Sequence, residues 1–214
     1  MNDFKKYISI NELKSILEEF RKTLSEEHTL FVNEQLKKEY DFITNTILIG
    51  NKEFTGSFKE SYDRKDNEEA YNKESKIATI LAAKGFEIFL IEENTTNNNK
   101  HRRKKPDAII NRVIMDLKEP TGNTKHTFGN NYQDAMKKPN TYGTVFFLVH
   151  NMTPEKVFNL LEGKTNPHKN GLVIVYHSDM DSFQVINMKK LRAAHERAAL
   201  AGRGSDIKHI GPLK

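Results

Sequence analysis

Cysteine is absent from this chain of 214 residues. Its absence excludes disulfide bonds and metal sites built on thiolates. Any metal ion that the protein binds must therefore be held by oxygen atoms or by imidazole nitrogen. Internal repeats are absent too, which argues against a repeat architecture.

Long apolar runs are also missing. No segment approaches the roughly 20 apolar residues that a transmembrane helix requires, and the N-terminal sequence MNDFKKYISINELK has no apolar core of signal-peptide length. We therefore expect synthesis in the cytosol and no membrane-spanning segment. The missing signal leaves open delivery by a larger carrier protein.

Neither sign of charge strongly dominates the composition. Charged residues make up 29% of the chain and hydrophobic residues 36%, which suits a soluble protein with a modest core. The net charge of +5 and the pI of about 9.1 permit a polyanionic partner without proving one. The length suffices for one sizeable domain with a small appendage.

The first 66 residues carry no recognisable chemistry. Apolar residues recur at three- and four-residue spacing between Ile10 and Leu24, which predicts a core-facing amphipathic helix. We interpret residues 1–66 as an N-terminal helical extension or docking segment, and residues 67–214 as the main domain.

An acidic residue stands on the next predicted helix, which ends before Gly85. Glu74 shares a stripe of this helix with Ile77 and Leu81, at spacings of three and seven residues. Two readings stay open for this carboxylate. It is either a partly exposed surface group or a third acid directed at the sheet.

A polar, asparagine-rich loop then leads into a concentrated basic run immediately before Asp107. The run is either a solvated charged segment or a patch that contacts phosphates, since Lys and Arg neutralise the charge of a nucleic-acid backbone. Its members are His101, Arg102, Arg103, Lys104 and Lys105.

The segment KKPDAIINRVIMDLKEP, residues 104–120, organises the rest of the interpretation. Two short β-branched runs flank a turn signal at Asn111-Arg112, which predicts two adjacent antiparallel strands. Side chains alternate along a strand, so Asp116 and Lys118 share a face, and pairing across the turn brings Asp107 to the same end. Such a charged cluster is costly unless a cation or a ligand uses it.

The remaining pattern alternates helices and strands. From Glu74 onward we predict the order helix, three strands, helix, strand, helix and two strands, followed by a basic helical tail. The fold class is therefore α/β (α+β), with a mixed central sheet flanked by helices.

These residues together resemble the PD-(D/E)XK nuclease superfamily, with a restriction-endonuclease-like core. The run KKPDAIINRVIMDLKEPTGNTKHTF is also similar to the C-terminal nuclease domains of bacterial polymorphic toxins, including contact-dependent growth inhibition toxins that cleave tRNA. The resemblance covers roughly residues 67–150. The positions that carry it are Glu74, Pro106-Asp107, Asn111-Arg112, Asp116, Lys118, Gly122-Asn123 and Gln133.

The resemblance implies a divalent metal site. Asp107 and Asp116 would bind Mg²⁺ or Mn²⁺ through oxygen, with the carbonyl of Leu117 as a further ligand and Glu74 ligating directly or through water. Lys118 would orient the attacking water or stabilise the charge that develops on the phosphate. The metal would act as a Lewis acid and lower the pKa of its bound water.

A metal-independent variant stays open. In that variant His126 or His101 would act as general base or acid toward a ribose 2′-hydroxyl. A structural or solvent-exposed role for His126 is the other reading. Lys125 and Gln133 join the basic run as candidate nucleic-acid contacts.

The implied activity is cleavage of RNA, in particular tRNA, by a bacterial toxin that acts in the cytoplasm of a target cell. A cognate immunity protein is the implied partner, and a basic active site would attract an acidic inhibitor. Two alternatives remain: a DNA endonuclease of the same superfamily, and a nucleic-acid-binding module whose acids are structural.

Overall fold

The computed structural model describes residues 2–37, 43–45, 57–60, 68–91, 105–148, 152–161 and 171–207. Within these ranges the α-helices are α1 (Ile10–Lys22), α2 (Glu26–Lys37), α3 (Glu68–Ala83), α4 (Lys125–Lys137), α5 (Pro154–Leu161) and α6 (Met188–Ile207). Short 3₁₀ helices span Asn2–Lys5 and Ser178–Met180.

Eight strands are present in the same described ranges. They are β1 (Ile43–Asn45), β2 (Ser57–Glu60), β3 (Glu87–Leu90), β4 (Ala108–Ile110), β5 (Val113–Lys118), β6 (Gly143–Leu148), β7 (Leu172–His177) and β8 (Ser182–Asn187). They form one sheet in sequence order. β2–β3, β5–β6 and β6–β7 are parallel pairs and the other pairs are antiparallel. The predicted α/β class with a mixed sheet flanked by helices is confirmed.

The β4–β5 hairpin forms at the predicted turn. Asn111 and Arg112 have φ angles of 44° and 66°, the left-handed conformation that a tight hairpin turn requires at both central residues. Asn111 accepts a hydrogen bond at 2.8 Å from the backbone N–H of Glu87, which fixes the turn against β3. The turn thereby sets the register that pairs Ala108 with Met115.

Helices cover both faces of the sheet. We call the face that carries Met115 and Leu117 the α3 face, because these residues pack in one core layer with Ile77 and Leu81 of α3. The opposite face is the α4 face, where Phe146 and Val173 pack with Phe128 and Tyr132 of α4.

The N-terminal helices pack on this same sheet. Leu13 and Leu17 of α1 lie in the core layer of the α3 face, and Val32 of α2 packs against Ile109 and Ile114. Ser9 caps α1 and forms a capping box with Glu12. The predicted division of the chain after residue 66 stays a prediction. No helix in the described ranges has the length and hydrophobicity needed to cross a membrane.

Candidate active site

Two aspartates meet on the α4 face: Asp116 lies on β5, and Asp107 immediately precedes the neighbouring strand β4. The register pairs Ala108 with Met115, so Asp107 stands opposite Asp116, and side chains opposite each other in a sheet share a face. The Asp107 carboxylate accepts a hydrogen bond at 2.8 Å from the backbone N–H of Leu117. This contact ties the start of β4 to the end of β5.

Two lysines complete what we call the acid–lysine cluster, which consists of Asp107, Asp116, Lys118 and Lys138. Lys118 Nζ lies 2.5 Å from Asp116 Oδ2. Lys138 Nζ lies 2.7 Å from Asp107 Oδ1 and also forms an ion pair with Asp116 Oδ1. The contacts to Asp116 are ion pairs without hydrogen-bond geometry. A single ammonium group therefore bridges the two carboxylates.

Lys138 reaches the cluster because of the residue that follows it. A residue before proline is driven from helical to extended backbone angles, and Lys138 precedes Pro139. Accordingly α4 ends at Lys137, and Lys138 has φ −66° and ψ 140°. Lys138 is not among the site residues predicted from the sequence. A Lys-Pro pair at the end of an amphipathic helix was the signal available for it.

Exposure increases from the acids to the lysines. The side chains of Asp116 and Asp107 are 0% and 4% exposed, while those of Lys138 and Lys118 are 10% and 22% exposed. An incoming anion therefore meets ammonium groups before carboxylates. The buried carboxylates alone would repel a polyanion, and the lysines cancel this effect.

Burial and charge act differently on the two acids. Burial and, after it, the neighbouring Asp107 carboxylate raise the pKa of Asp116 to about 6, against the opposing effect of the lysines. For Asp107, burial is outweighed by the Lys138 and Lys118 ammonium groups, so its pKa is lowered. Burial likewise opposes the charge of Lys138, but its two aspartate partners keep its pKa raised.

The residues present offer a poor fit to a divalent cation in this arrangement. Within the described ranges, no group of three or more His, Asp or Glu side chains could hold a metal ion. The Oδ1 atoms of Asp107 and Asp116 are both in contact with Lys138. The predicted Mg²⁺ or Mn²⁺ requirement stays a prediction.

Glu74 lies on a helix that covers the other face. α3 packs against Met115 and Leu117, whereas Asp116 and Lys118 alternate with them and project from the α4 face. Glu74 is half-exposed near the middle of α3. Its predicted role as a third acid is untested, and the described residues do not assemble it with the two aspartates into a metal-holding trio.

The other predicted site residues in the described ranges lie outside the acid–lysine cluster. Lys105 is half-buried just before Pro106, and Lys125 is exposed at the start of α4. His126 is exposed and contacts Asn130, with 2.9 Å between its Nε2 and the amide nitrogen. At 1.5 Å per residue, His126 lies about 18 Å along α4 from Lys138.

Gln133 is half-buried on α4, close to the face that packs on the sheet. Four members of the predicted basic run fall outside the described ranges. These are His101, Arg102, Arg103 and Lys104. The nucleic-acid contacts assigned to Gln133 and to the basic run therefore stay predictions.

Comparisons with known proteins add one structural likeness. No protein-family model matches the chain, and no curated protein matches it. A solved structure described as "CdiA-CT/CdiI toxin and immunity complex from Burkholderia pseudomallei" is similar over 57% of this chain and 89% of that chain, with a TM-score of 0.41 and 18% sequence identity. A likeness at this identity and TM-score carries no functional assignment over to this chain.

Proposed function

We propose that this chain is a nuclease toxin that cleaves RNA, in particular tRNA, by hydrolysing phosphodiester bonds at the acid–lysine cluster. We further propose that a cognate immunity protein neutralises it, and that it reaches the target-cell cytoplasm as part of a larger secreted protein. The enzyme activity rests on the cluster. The toxin role and the immunity partner rest on the sequence resemblance of residues 67–150.

One observation supports the enzyme activity above all. Two carboxylates with almost no exposure face each other and are bridged by one lysine, while a second lysine extends toward solvent. Burying four ionisable groups together has a desolvation cost that packing apolar residues avoids. Perturbed, mutually coupled groups of this kind are enriched at catalytic sites.

The residues divide the proposed chemistry between them. Lys118, the most exposed member, would contact a non-bridging phosphate oxygen and stabilise the charge that grows on it during attack by water. Asp116, whose pKa is raised to about 6, would accept the proton of that water near neutral pH at its Oδ2 atom, which Lys118 leaves when it moves to the phosphate. Asp107 and Lys138 would hold Asp116 in place, through the contacts already described.

The choice of RNA follows from the resemblance and is consistent with the charge. The net charge of +5 favours a polyanionic substrate of either kind. An assay that offers tRNA and plasmid DNA side by side separates the proposed ribonuclease from a DNA endonuclease. Cleavage of the plasmid with intact tRNA would replace our proposal with the DNA alternative.

The decisive experiment compares the wild type with Asp116→Asn and Lys118→Met. Removing a group that stabilises transition-state charge typically lowers a rate by about 10²–10³-fold, so we expect a loss of at least that size for Lys118→Met. Circular dichroism checks that each variant is folded. Wild-type rates in either folded variant would reject the cluster as the active site.

Matched controls come from a surface ion pair on α4. Asp134 and Lys137 are about 66% and 71% exposed and lie 3.0 Å apart. Asp134→Asn and Lys137→Met remove the same charges as the test variants and should keep full activity. If the wild type binds tRNA without cutting either nucleic acid, the chain is instead a binding module.

The toxin role has its own test. We expect induced expression in bacteria to stop growth and to produce cleaved tRNA, and Lys118→Met to abolish both effects. Sequencing of RNA ends from these cells locates the cut. Normal growth with active enzyme in the cell extract would remove the toxin role and leave a nuclease.

A further inference from the structure

We propose that the ammonium group of Lys138 takes the place that a divalent cation would occupy between Asp107 and Asp116, so that the cluster works without a divalent metal ion. This inference rests on the proposed nuclease function. It differs from what the sequence resemblance implies, which is a site where the same two aspartates bind Mg²⁺ or Mn²⁺.

Every oxygen atom of the two carboxylates is in contact with an ammonium group or a backbone N–H, through hydrogen bonds at Asp107 and through ion pairs at Asp116. Asp107 Oδ1 and Asp116 Oδ1 both contact Lys138 Nζ, at 2.7 Å in the case of Asp107. Asp107 Oδ2 accepts the backbone N–H of Leu117, and Asp116 Oδ2 lies 2.5 Å from Lys118 Nζ. A metal ion bound between these two Oδ1 atoms would have to displace Lys138.

Charge balance leads to the same conclusion. Two carboxylates and two ammonium groups sum to zero, so the cluster needs no further cation to compensate its acids. A bound divalent ion would displace a buried ammonium and leave it without its two acidic partners, which is strongly unfavourable. Mg²⁺ also gives up its own hydration water reluctantly.

The chain holds Lys138 in this position by its backbone. Pro139 forces Lys138 out of the helix into an extended conformation, and the Lys138 N–H still donates to the carbonyl of Ala135 at 3.2 Å. The Lys138 side chain is only 10% exposed. The backbone conformation and the burial of Lys138 therefore fix its ammonium group between the two carboxylates, unlike the mobile side chain of an exposed surface lysine.

The first test measures tRNA cleavage by the wild-type protein in excess EDTA and in millimolar Mg²⁺ or Mn²⁺. We expect the rates to agree within about twofold. A rate that falls to background in EDTA and returns with metal would overturn the inference and leave the nuclease function intact. No cleavage under any condition would reject the proposed function, and the second test then decides the inference alone.

The second test measures Mn²⁺ binding directly, by the loss of the free-ion signal in electron paramagnetic resonance. The wild type and the control Lys137→Met should bind no Mn²⁺ at the cluster, whereas Lys138→Met should gain a site. Lys138→Gln serves in its place if the methionine variant does not fold. One equivalent of Mn²⁺ bound by the wild type and lost in Asp116→Asn would overturn the inference.

Discussion

Two buried groups of polar residues lie on the α4 face near the C-terminal ends of β5 and β7, and they differ in the charge that they carry. Lys118 pairs with Phe146, and Phe146 pairs with Val175. His177 is two residues after Val175 on β7, so it lies two residues further along the strand direction than Lys118. His177 and Gln184 form the second group, which we call the His–Gln network. Their exposure is 4% and 0%, as low as that of Asp107 and Asp116.

The His–Gln network contacts mostly backbone. His177 Nδ1 lies 2.8 Å from the carbonyl oxygen of Met152, and its Nε2 lies 3.1 Å from Gln184 Oε1. The Gln184 amide donates to the carbonyls of Phe4 and Pro154 at 2.6 and 2.7 Å. The network thereby fastens the N-terminal segment and the start of α5 to the sheet.

Burial moves both groups toward neutral forms. It lowers the pKa of His177, against the opposing effect of its two oxygen neighbours, and it raises the pKa of Asp116. Only the acid–lysine cluster adds two ammonium groups that hold charge in place. The His–Gln network, two strands away, connects segments to the sheet without burying ammonium groups and carboxylates. We therefore interpret the acid–lysine cluster as catalytic and the His–Gln network as structural.

The largest effect that tests this contrast is on stability, in Lys138→Met. Removing the bridging ammonium leaves two buried carboxylates with one cation, and breaking a buried ion pair in this way typically costs about 3–5 kcal/mol. Urea unfolding at pH 7 measures the change in free energy. The control Lys137→Met removes a 71% exposed partner and should change stability by less than ~1 kcal/mol.

A small loss in Lys138→Met, equal to that of the control, would mean that the bridging contacts contribute nothing. The cluster would then resemble a surface ion pair in energy, and the contrast with the His–Gln network would fail.

The next effect is expected in the His–Gln network. Gln184→Leu leaves the carbonyls of Phe4 and Pro154 without this donor, and an unsatisfied buried polar group costs about 1–3 kcal/mol. We therefore expect a loss of roughly 2–3 kcal/mol with tRNA cleavage unchanged in the folded fraction. A specific loss of cleavage would place His177 or Gln184 in the functional site and remove the distinction.

Lys118→Met should have the opposite balance of effects to Gln184→Leu, with a smaller loss of stability and a larger loss of cleavage. Lys118 has one acidic partner in the cluster and is 22% exposed, so its removal should cost roughly 1–2 kcal/mol, less than that of Lys138. Cleavage should nevertheless be abolished. A stability loss as large as that of Lys138→Met, with cleavage retained, would assign Lys118 a structural role.

The sequence predicted the parts of this contrast that depend on local pattern. Alternation along β5 puts Asp116 and Lys118 on one face, and the Asn111-Arg112 turn brings Asp107 opposite Asp116. Both follow from periodicity of two and from turn chemistry, which are properties of a short segment. The mixed sheet followed from the alternation of helical and extended patterns.

Tertiary packing decided the rest. Which face a helix covers cannot be read from the helix alone, and α3 packs on the face opposite Asp116 and Lys118. Glu74 has the same spacing on its helix whichever face that helix covers. Lys138 is separated from Asp107 by 31 residues, and only the folded backbone shows that its side chain turns inward.

The smallest expected effect is the pH dependence that Asp116 gives to stability. Its pKa is raised from the ordinary value of 3.8 to about 6, so between these values the folded state binds more protons than the unfolded state. The free energy of unfolding therefore falls as pH rises through 6. A pKa of about 6 in the folded state gives a loss of roughly 1 kcal/mol between pH 5 and pH 7.

Asp116→Asn isolates this contribution, because it removes the titrating group while Asp107, Lys118, Lys138 and His177 remain. Urea unfolding of both proteins at pH 5 and pH 7 should show the wild type losing about 1 kcal/mol relative to the variant over that range. Carboxyl-carbon NMR of Asp116 gives the pKa directly. If the difference in free energy of unfolding between the two proteins does not change with pH, the lysines hold Asp116 ionised throughout. Burial would then move His177 toward its neutral form but would not move Asp116.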